Sequence, residues 1–462
     1  MTVNIASIKE ISEGLSKGHF NCVDIAKQAL ENISQLNKEL NAFVEVDEDR
    51  VLRHAVDLQA QVVGGRDVSL LHGVPVAVKS NIDIEGYNID ACSKPLHGRY
   101  ATIDAACIRA LKKSGALIIG TTNMHELAYG GTGHISAYGP AKNPHDTMRI
   151  SGGSSSGSAV AVASKMVPLS LGTDTGGSVR IPAAACGVVG YKPSINLIDT
   201  TGVLPLSWTL DHVGTIANSV SDAALGAAFS MGCESRIGHQ ILRSFMQFNK
   251  PITAIDCNHR IALLEVDDMP LSSDVSKKID NFINLISDCK SIIRKESLKY
   301  SVESHVAWLN IMYPEASSCY ADEEKFDHTS FSSNTRVQLE AGKHVYALDY
   351  LRAQRFRTMF SDYFNSFFDN YDFIVMPTLP VVAPNFSDEF VSLGDKEVTI
   401  QDAMTFTNSI ANMVGCPAIT IPLGLDSNSM PIGLTILAPF NNDLLLLEMA
   451  TILEALLSDS VI

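Results

Sequence analysis

The stretch Ser151-Gly-Gly-Ser-Ser-Ser-Gly-Ser-Ala-Val-Ala-Val-Ala-Ser-Lys-Met-Val-Pro-Leu-Ser-Leu-Gly-Thr-Asp-Thr-Gly-Gly-Ser178 reads as three elements in a row. A Gly-Ser loop opens a helical stretch over 155–166, Val167 to Leu171 is an apolar run of strand length, and Gly172 to Ser178 is a turn of small residues. The same texture extends outward. Short apolar runs recur at Val74 to Val78, Leu117 to Ile119, Ile261 to Leu264, Phe373 to Met376, Ala418 to Ile421 and Ile432 to Leu437, and helical stretches at 105–114 and 221–230 lie between them. Strands alternating with helices predict an α/β fold: a large mixed, mostly parallel β-sheet covered by helices on both faces.

Upstream, Ile8, Ile11 and Leu15, then Val23, Ile25, Ala26, Leu30 and Ile33, recur at helical spacing, with Asn21 placed to cap the second run. The expected organisation is a helical segment over 1–65 packed on a single catalytic domain over 66–462. The more polar stretch 268–345, with Asp-Glu-Glu-Lys at 322–325, reads either as a helical insertion or lid or as a solvated helical layer. At roughly 150 residues per domain, 462 residues permit two or three domains, but also one continuous sheet. Met404 to Leu425 is uncharged and long enough to span a bilayer, yet Asn408, Asn412, Gly415, Pro417 and Pro422 interrupt it. It reads as buried strand and loop, and no membrane is expected as a partner.

Apolar residues at 46% and charged residues at 19% exclude disorder and coiled coil. A net charge of −16 with no basic run excludes nucleic acid as a direct ligand. Nine cysteines, odd in number and never in CxxC, signal neither a disulfide framework nor a zinc site. The N-terminal residues lack a basic region followed by an apolar stretch. A reducing, cytoplasmic setting is expected.

Three segments carry candidate chemistry. The Ser151 to Ser158 loop opens a helix, so its backbone N–H groups suit an anion or oxyanion. No lysine follows Gly157, which rules out a phosphate loop of the GxxxxGK[ST] type, and a plain serine linker is the alternative. Gly153-Ser-Ser-Ser-Gly157 also fits G-x-S-x-G, with Asp211 and His212 downstream for a triad, but the polar residues 143–149 supply no strand leading into the turn. The Gly172 to Ser178 turn does follow a strand. Its consecutive glycines can aim several N–H groups at one point, beside the hydroxyl of Ser178, or can simply make a tight turn. In Gly73-Val-Pro-Val-Ala-Val-Lys79, an apolar strand ends in a lysine. Burial disfavours the ammonium, and lowering a lysine from about 10.4 to about 7 or 8 corresponds to roughly 3 to 5 kcal/mol. Such a lysine is a neutral general base.

Together these segments resemble the amidase signature family, and the resemblance covers about residues 5 to 455. It includes Thr122-Asn-Met-His-Glu-Leu-Ala-Tyr-Gly-Gly131, Gly190-Tyr-Lys-Pro193, Leu210-Asp-His-Val-Gly214, Gly415-Cys-Pro-Ala418 and Pro431-Ile-Gly-Leu434. The resemblance implies a Ser-cisSer-Lys site with Ser178 as nucleophile, Ser154 as the bridging serine after a cis peptide bond, and Lys79 as base. It implies an oxyanion hole from the N–H groups of Thr175, Gly176, Gly177 and Ser178. Tyr129, Gly130 and Gly131 would line the substrate entrance, and Ser155 would support the loop. Arg180 would either pair with Asp174 behind the turn or bind a substrate carboxylate. No metal or organic cofactor is implied.

The implied activity is hydrolysis of a small linear amide through an acyl-enzyme, releasing ammonia or an amine. Thr435 and Ser156 depart from residues common in relatives, glutamine and glycine respectively, outside the catalytic trio. The alternative is the glutaminase (A) subunit of a tRNA-dependent amidotransferase, which needs partner subunits. Glu315-Ala-Ser-Ser begins as in those subunits, but Cys319-Tyr-Ala-Asp-Glu-Glu-Lys follows, and Asp349-Tyr-Leu-Arg-Ala-Gln-Arg-Phe-Arg357 looks more like stand-alone amidases. A non-catalytic member of the fold is a third reading, against which the retained trio speaks. A small-molecule amide is the expected partner, and a homodimer is the commonest closed assembly.

Overall fold

The computed structural model describes residues 5–64, 68–232, 234–246, 259–288, 291–322 and 324–459. Among the described residues thirteen strands are formed: β1 (Phe43–Val46), β2 (Pro75–Lys79), β3 (Leu117–Thr122), β4 (Leu169–Asp174), β5 (Val189–Lys192), β6 (His212–Ala217), β7 (Arg260–Glu265), β8 (Ile292–Ser297), β9 (Phe373–Pro377), β10 (Phe390–Leu393), β11 (Lys396–Thr399), β12 (Ala418–Leu425) and β13 (Pro431–Leu437). Eleven of them make one sheet in the order β1-β3-β2-β4-β6-β5-β12-β13-β9-β7-β8, while β10 and β11 form a separate hairpin.

Each apolar run read from the sequence is a strand of this sheet. The sheet is mixed, but the expected parallel majority is not what forms. Four neighbouring pairs are parallel, β2 with β3 and β4, and β7 with β8 and β9; the other six are antiparallel. The reason is that β12 and β13 are joined by a short turn and pair directly, and that β5 and β6, short and glycine-containing, fill the centre of the sheet.

Helices cover both faces. A Cβ on Gly226 would meet Leu169 Cδ1 at 2.5 Å, and one on Gly172 would meet Ser155 Oγ at 2.7 Å. Leu169 and Gly172 point to opposite sides of β4. Helix Val220–Ser230 and helix Ser156–Ala163 therefore pack on opposite faces. The helices foreseen at 105–114, 155–166 and 221–230 form at Ala106–Lys113, Ser156–Ala163 and Val220–Ser230.

Near the N-terminus, helices Ile8–Ser16 and Cys22–Leu40 form, the second capped by Asn21 in a reciprocal box with Asp24. Ile8, Ile11, Ile25, Ala26 and Ala29 are buried in the same core as the sheet residues Val76, Leu169 and Ile216. This segment also supplies β1, which pairs with β3. The polar stretch 268–345 contains β8, an edge strand of the main sheet, and helix Ser301–Tyr320, whose Trp308 and Met312 are buried. Met404 to Leu423 is largely buried as expected, with Leu425 exposed, but before β12 it holds helix Ser409–Val414 and the end of helix Ile400–Thr405. Gly415, in the left-handed conformation, ends the second helix where a loop was expected. Among the described residues no helix is long and apolar enough to cross a membrane.

Candidate active site

Lys79 ends β2 and Thr173 lies near the end of β4, its parallel neighbour, so both sit at the carboxyl edge of adjacent strands. Crevices at such edges are where open α/β sheets place ligands. The Lys79 side chain is fully buried. Its Nζ donates to Ser154 Oγ at 2.7 Å and to Thr173 Oγ1 at 2.8 Å. Burial pushes its pKa from 10.5 down to about 7, against the opposing pull of Asp174 and Asp211. Among the described residues it forms no salt bridge, so nothing locks it in the charged form.

Ser154 follows a cis peptide bond at Gly153–Ser154. Ser155 joins its loop to the Gly172–Ser178 turn. The Ser155 N–H donates to Ser178 O at 3.1 Å, and its hydroxyl bonds the carbonyl and N–H of Thr173 at 3.2 and 3.3 Å. Ser178 is 7% exposed and opens on a small cavity. Among the described residues its Oγ makes no hydrogen bond.

Asp174 organises the turn. Its carboxylate accepts from the N–H groups of Gly177 at 2.8 Å and Val179 at 3.1 Å, and from Asn412 Nδ2 at 2.9 Å. Burial opposes its charge, but the Arg180 guanidinium overrides this and holds the carboxyl well below its usual range. Because the Gly177 N–H is bound to Asp174, the expected oxyanion donors narrow to Thr175, Gly176 and Ser178, whose N–H groups have no acceptor among the described residues. Gly177 is required for another reason: its φ is +113°, and a Cβ there would lie 2.5 Å from Asn408 Cβ.

Of the two alternatives for Arg180, the structure forms the ion pair. The side chain is fully buried, Nη2 lies 3.0 Å from Asp174 Oδ1, and Asn408 O and Asn412 Oδ1 accept from Nη2 at 2.9 Å each. Arg180 is absent from the lining of the Ser178 cavity. It is tied to residues more than 200 positions away, which no local pattern reveals.

The Asp211–His212 triad is not formed. Asp211 accepts from Thr175 Oγ1 at 2.6 Å and from the N–H groups of Leu206 and Ser207. His212 Nδ1 lies 2.7 Å from Leu210 O, and burial pushes its pKa well below 6.5. Both residues buttress the turn.

The cavity is lined by residues 128–131, Thr175, Gly176, Ser178, Leu206, Trp308, Met312, Gln401 and Thr405. Tyr129, Gly130 and Gly131 thus face Ser178. Gly131 N–H donates to Gln401 Oε1 at 2.8 Å, and Trp308 Nε1 donates to Thr175 O at 3.0 Å. A Cβ on Gly176 would lie 2.4 Å from the Trp308 ring, so only glycine admits the indole there. Thr173, Trp308, Met312, Gln401 and Thr405 were not singled out from the sequence. Thr173 lies inside the quoted turn and so was within reach; the others are brought from distant segments with no local mark. Among the described residues no group of three or more His, Cys, Asp or Glu converges to hold a metal ion.

A buried lysine, two serines and a row of backbone donors form a constellation suited to acyl transfer. The family model described as Amidase matches residues 24–447. The A subunit of glutamyl-tRNA(Gln) amidotransferase from Alkaliphilus metalliredigens (strain QYMF) is 30% identical over 481 residues, spanning 98% of this chain and 97% of that one. The protein of the same name from Clostridium botulinum (strain Alaska E43 / Type E3) is 32% identical over 456 residues, 93% of each chain. A solved structure reported as an unexpected vestigial protein complex, revealing the evolutionary origins of an s-triazine catabolic enzyme, is similar with a TM-score of 0.89 at 30% identity. It covers 99% of both chains. A crystal structure of an amidase reaches 0.88 at 28% identity, over 97% of this chain and 99% of that one. The family match encloses every residue of the site from Lys79 to Thr405, and the chain belongs to the Amidase family.

Proposed function

We propose that this amidase-type carbon–nitrogen hydrolase cleaves a linear amide through a Lys79–Ser154–Ser178 relay. One observation carries the reading: a fully buried lysine, held near neutrality at about 7, donates to a serine hydroxyl 2.7 Å away. In its neutral form Lys79 accepts the Ser154 proton while Ser154 Oγ accepts that of Ser178. The contact between the two serines closes as substrate seats, as catalytic hydrogen bonds of resting enzymes commonly do. Ser178 Oγ bonds to the carbonyl carbon, and the N–H groups of Thr175, Gly176 and Ser178 hold the oxyanion. The amine or ammonia departs with the proton returned through Ser154. Water then enters by the same route, its proton going to Lys79, and frees the acid. No metal or organic cofactor takes part in these steps.

Residues 1–65 belong, in this reading, to the structural support of one catalytic domain, since β1 extends its sheet. The cytoplasm is the proposed compartment, supported by six described cysteines that are all free. A test is release of ammonia or amine from a panel of primary amides, aryl amides, glutamine and carboxylated ureas. Turnover that both Ser178→Ala and Lys79→Ala abolish supports the relay, and turnover that survives Lys79→Ala overturns it.

A second reading, the glutaminase component of an amidotransferase, is favoured by the names of the relatives at 30% and 32% identity. It predicts glutaminase activity that rises when partner subunits are added.

A further inference from the structure

Among the described residues, none that lines the cavity in front of Ser178 is charged. Its lining combines the aromatic and apolar side chains of Tyr129, Trp308, Met312 and Leu206 with polar groups that are neutral. Tyr129 is 1% exposed, and its hydroxyl is buried with no hydrogen-bond partner among the described residues. The ring is fixed by an edge contact with Tyr313 at 5.6 Å between centroids. Gln401 Oε1 is occupied by the Gly131 N–H, which leaves its amide nitrogen as a donor. An unpartnered buried hydroxyl is costly, and an acceptor brought by a ligand removes that cost.

We propose that this pocket takes a small uncharged amide whose remote part carries a neutral hydrogen-bond acceptor, an ether or carbonyl oxygen, bound by the Tyr129 hydroxyl. The inference rests on the amidase reading of the site and names its substrate class. A carboxylate also accepts hydrogen bonds, but it would enter a pocket with no cation among its described lining residues, in a chain of net charge −16. Glutamine, with a carboxylate and an ammonium, fits this wall worse than an uncharged amide.

The test reads binding apart from turnover. Saturation-transfer NMR on the Ser178→Ala protein compares 3-methoxypropanamide with its isostere pentanamide, and both with succinamate and glutamine. The neutral pair is expected to bind, 3-methoxypropanamide about 3- to 10-fold tighter than pentanamide, the span of one net hydrogen bond. The charged probes are expected to bind at least about 10-fold more weakly than pentanamide. Adding Tyr129→Phe is expected to bring the ratio within the neutral pair to about 1. The inference is overturned if glutamine or succinamate binds as tightly as pentanamide, if Tyr129→Phe preserves the ratio, or if none of the four probes binds the folded protein. Failure of the relay itself would show elsewhere, as turnover that persists in Lys79→Ala.

Discussion

Lys79→Met isolates the cost of burying the proposed base, and it needs no knowledge of the substrate. The folded lysine has its pKa lowered from 10.5 to about 7, chiefly by lost hydration. In the unfolded chain the same group titrates at about 10.4. A lysine whose folded pKa lies below its unfolded one costs stability. The cost is complete below the folded pKa and fades as pH rises toward the unfolded one. The gap corresponds to about 5 kcal/mol at pH 6 and below. Between pH 7 and 9 the unfolded chain holds a proton that the folded chain has shed, so the cost falls by about 2 to 3 kcal/mol.

Methionine carries no proton and escapes this dependence. The lost hydrogen bonds to Ser154 and Thr173, at 2.7 and 2.8 Å, add a nearly constant offset that cancels between the two pH values. Urea unfolding of both proteins at pH 7 and pH 9 gives the four free energies required. The wild type is expected to gain about 2 to 3 kcal/mol on the variant across that interval. A difference that is the same at both pH values would refute the claim that Lys79 is held neutral by burial.

Three further outcomes follow from the same geometry. For any substrate found, kcat/KM should rise about tenfold per pH unit below the Lys79 pKa of about 7 and level off above it, because only the neutral amine accepts the Ser154 proton; a profile flat from pH 5 to 8 contradicts this. Arg180→Met leaves the Asp174 carboxylate buried and unpaired, so chemical denaturation should show a loss of about 3 to 5 kcal/mol. An unchanged stability with a raised KM would return Arg180 to substrate binding. Gly177→Ala forces a Cβ to 2.5 Å from Asn408 Cβ at a φ of +113°, and should lower kcat at least about 100-fold by displacing the oxyanion donors; kinetics within tenfold of wild type would count against the turn's role.

Much of the fold is written locally. The runs at Val74 to Val78, Val167 to Leu171 and Ile432 to Leu437 are strands because buried strands are short, apolar and bounded by turn residues. Strands β5 and β6 escaped that reading because glycine, lysine and threonine dilute their apolar signal, although both lie at the centre of the sheet. Asn21 was recognisable as a cap because capping acts within one turn of helix. Helix Ser409–Val414 was not, since its six residues lie between asparagine and glycine and carry no clear period. In the candidate site, Lys79, Ser154 and Ser178 sit in segments whose punctuation marks them. The pocket walls do not: Trp308 and Gln401 look like ordinary helical residues in the chain.

The sequence by itself determined the α/β character of this protein, the approximate places of seven of its strands, its net charge and the three segments proposed to bear the chemistry. These are properties of composition and short-range spacing, which act within a few residues. Only the tertiary structure decided that six strand pairs of the main sheet run antiparallel, because pairs such as β1 with β3 and β12 with β5 join segments far apart in the chain. Tertiary structure also decided that the Gly177 N–H serves Asp174, and that Arg180 answers to Asn408 and Asn412, over 200 residues away, with no part in lining the pocket. The charge state of Lys79 belongs there too: a lysine in a free chain is an ammonium, and it becomes a base only where folding removes its water.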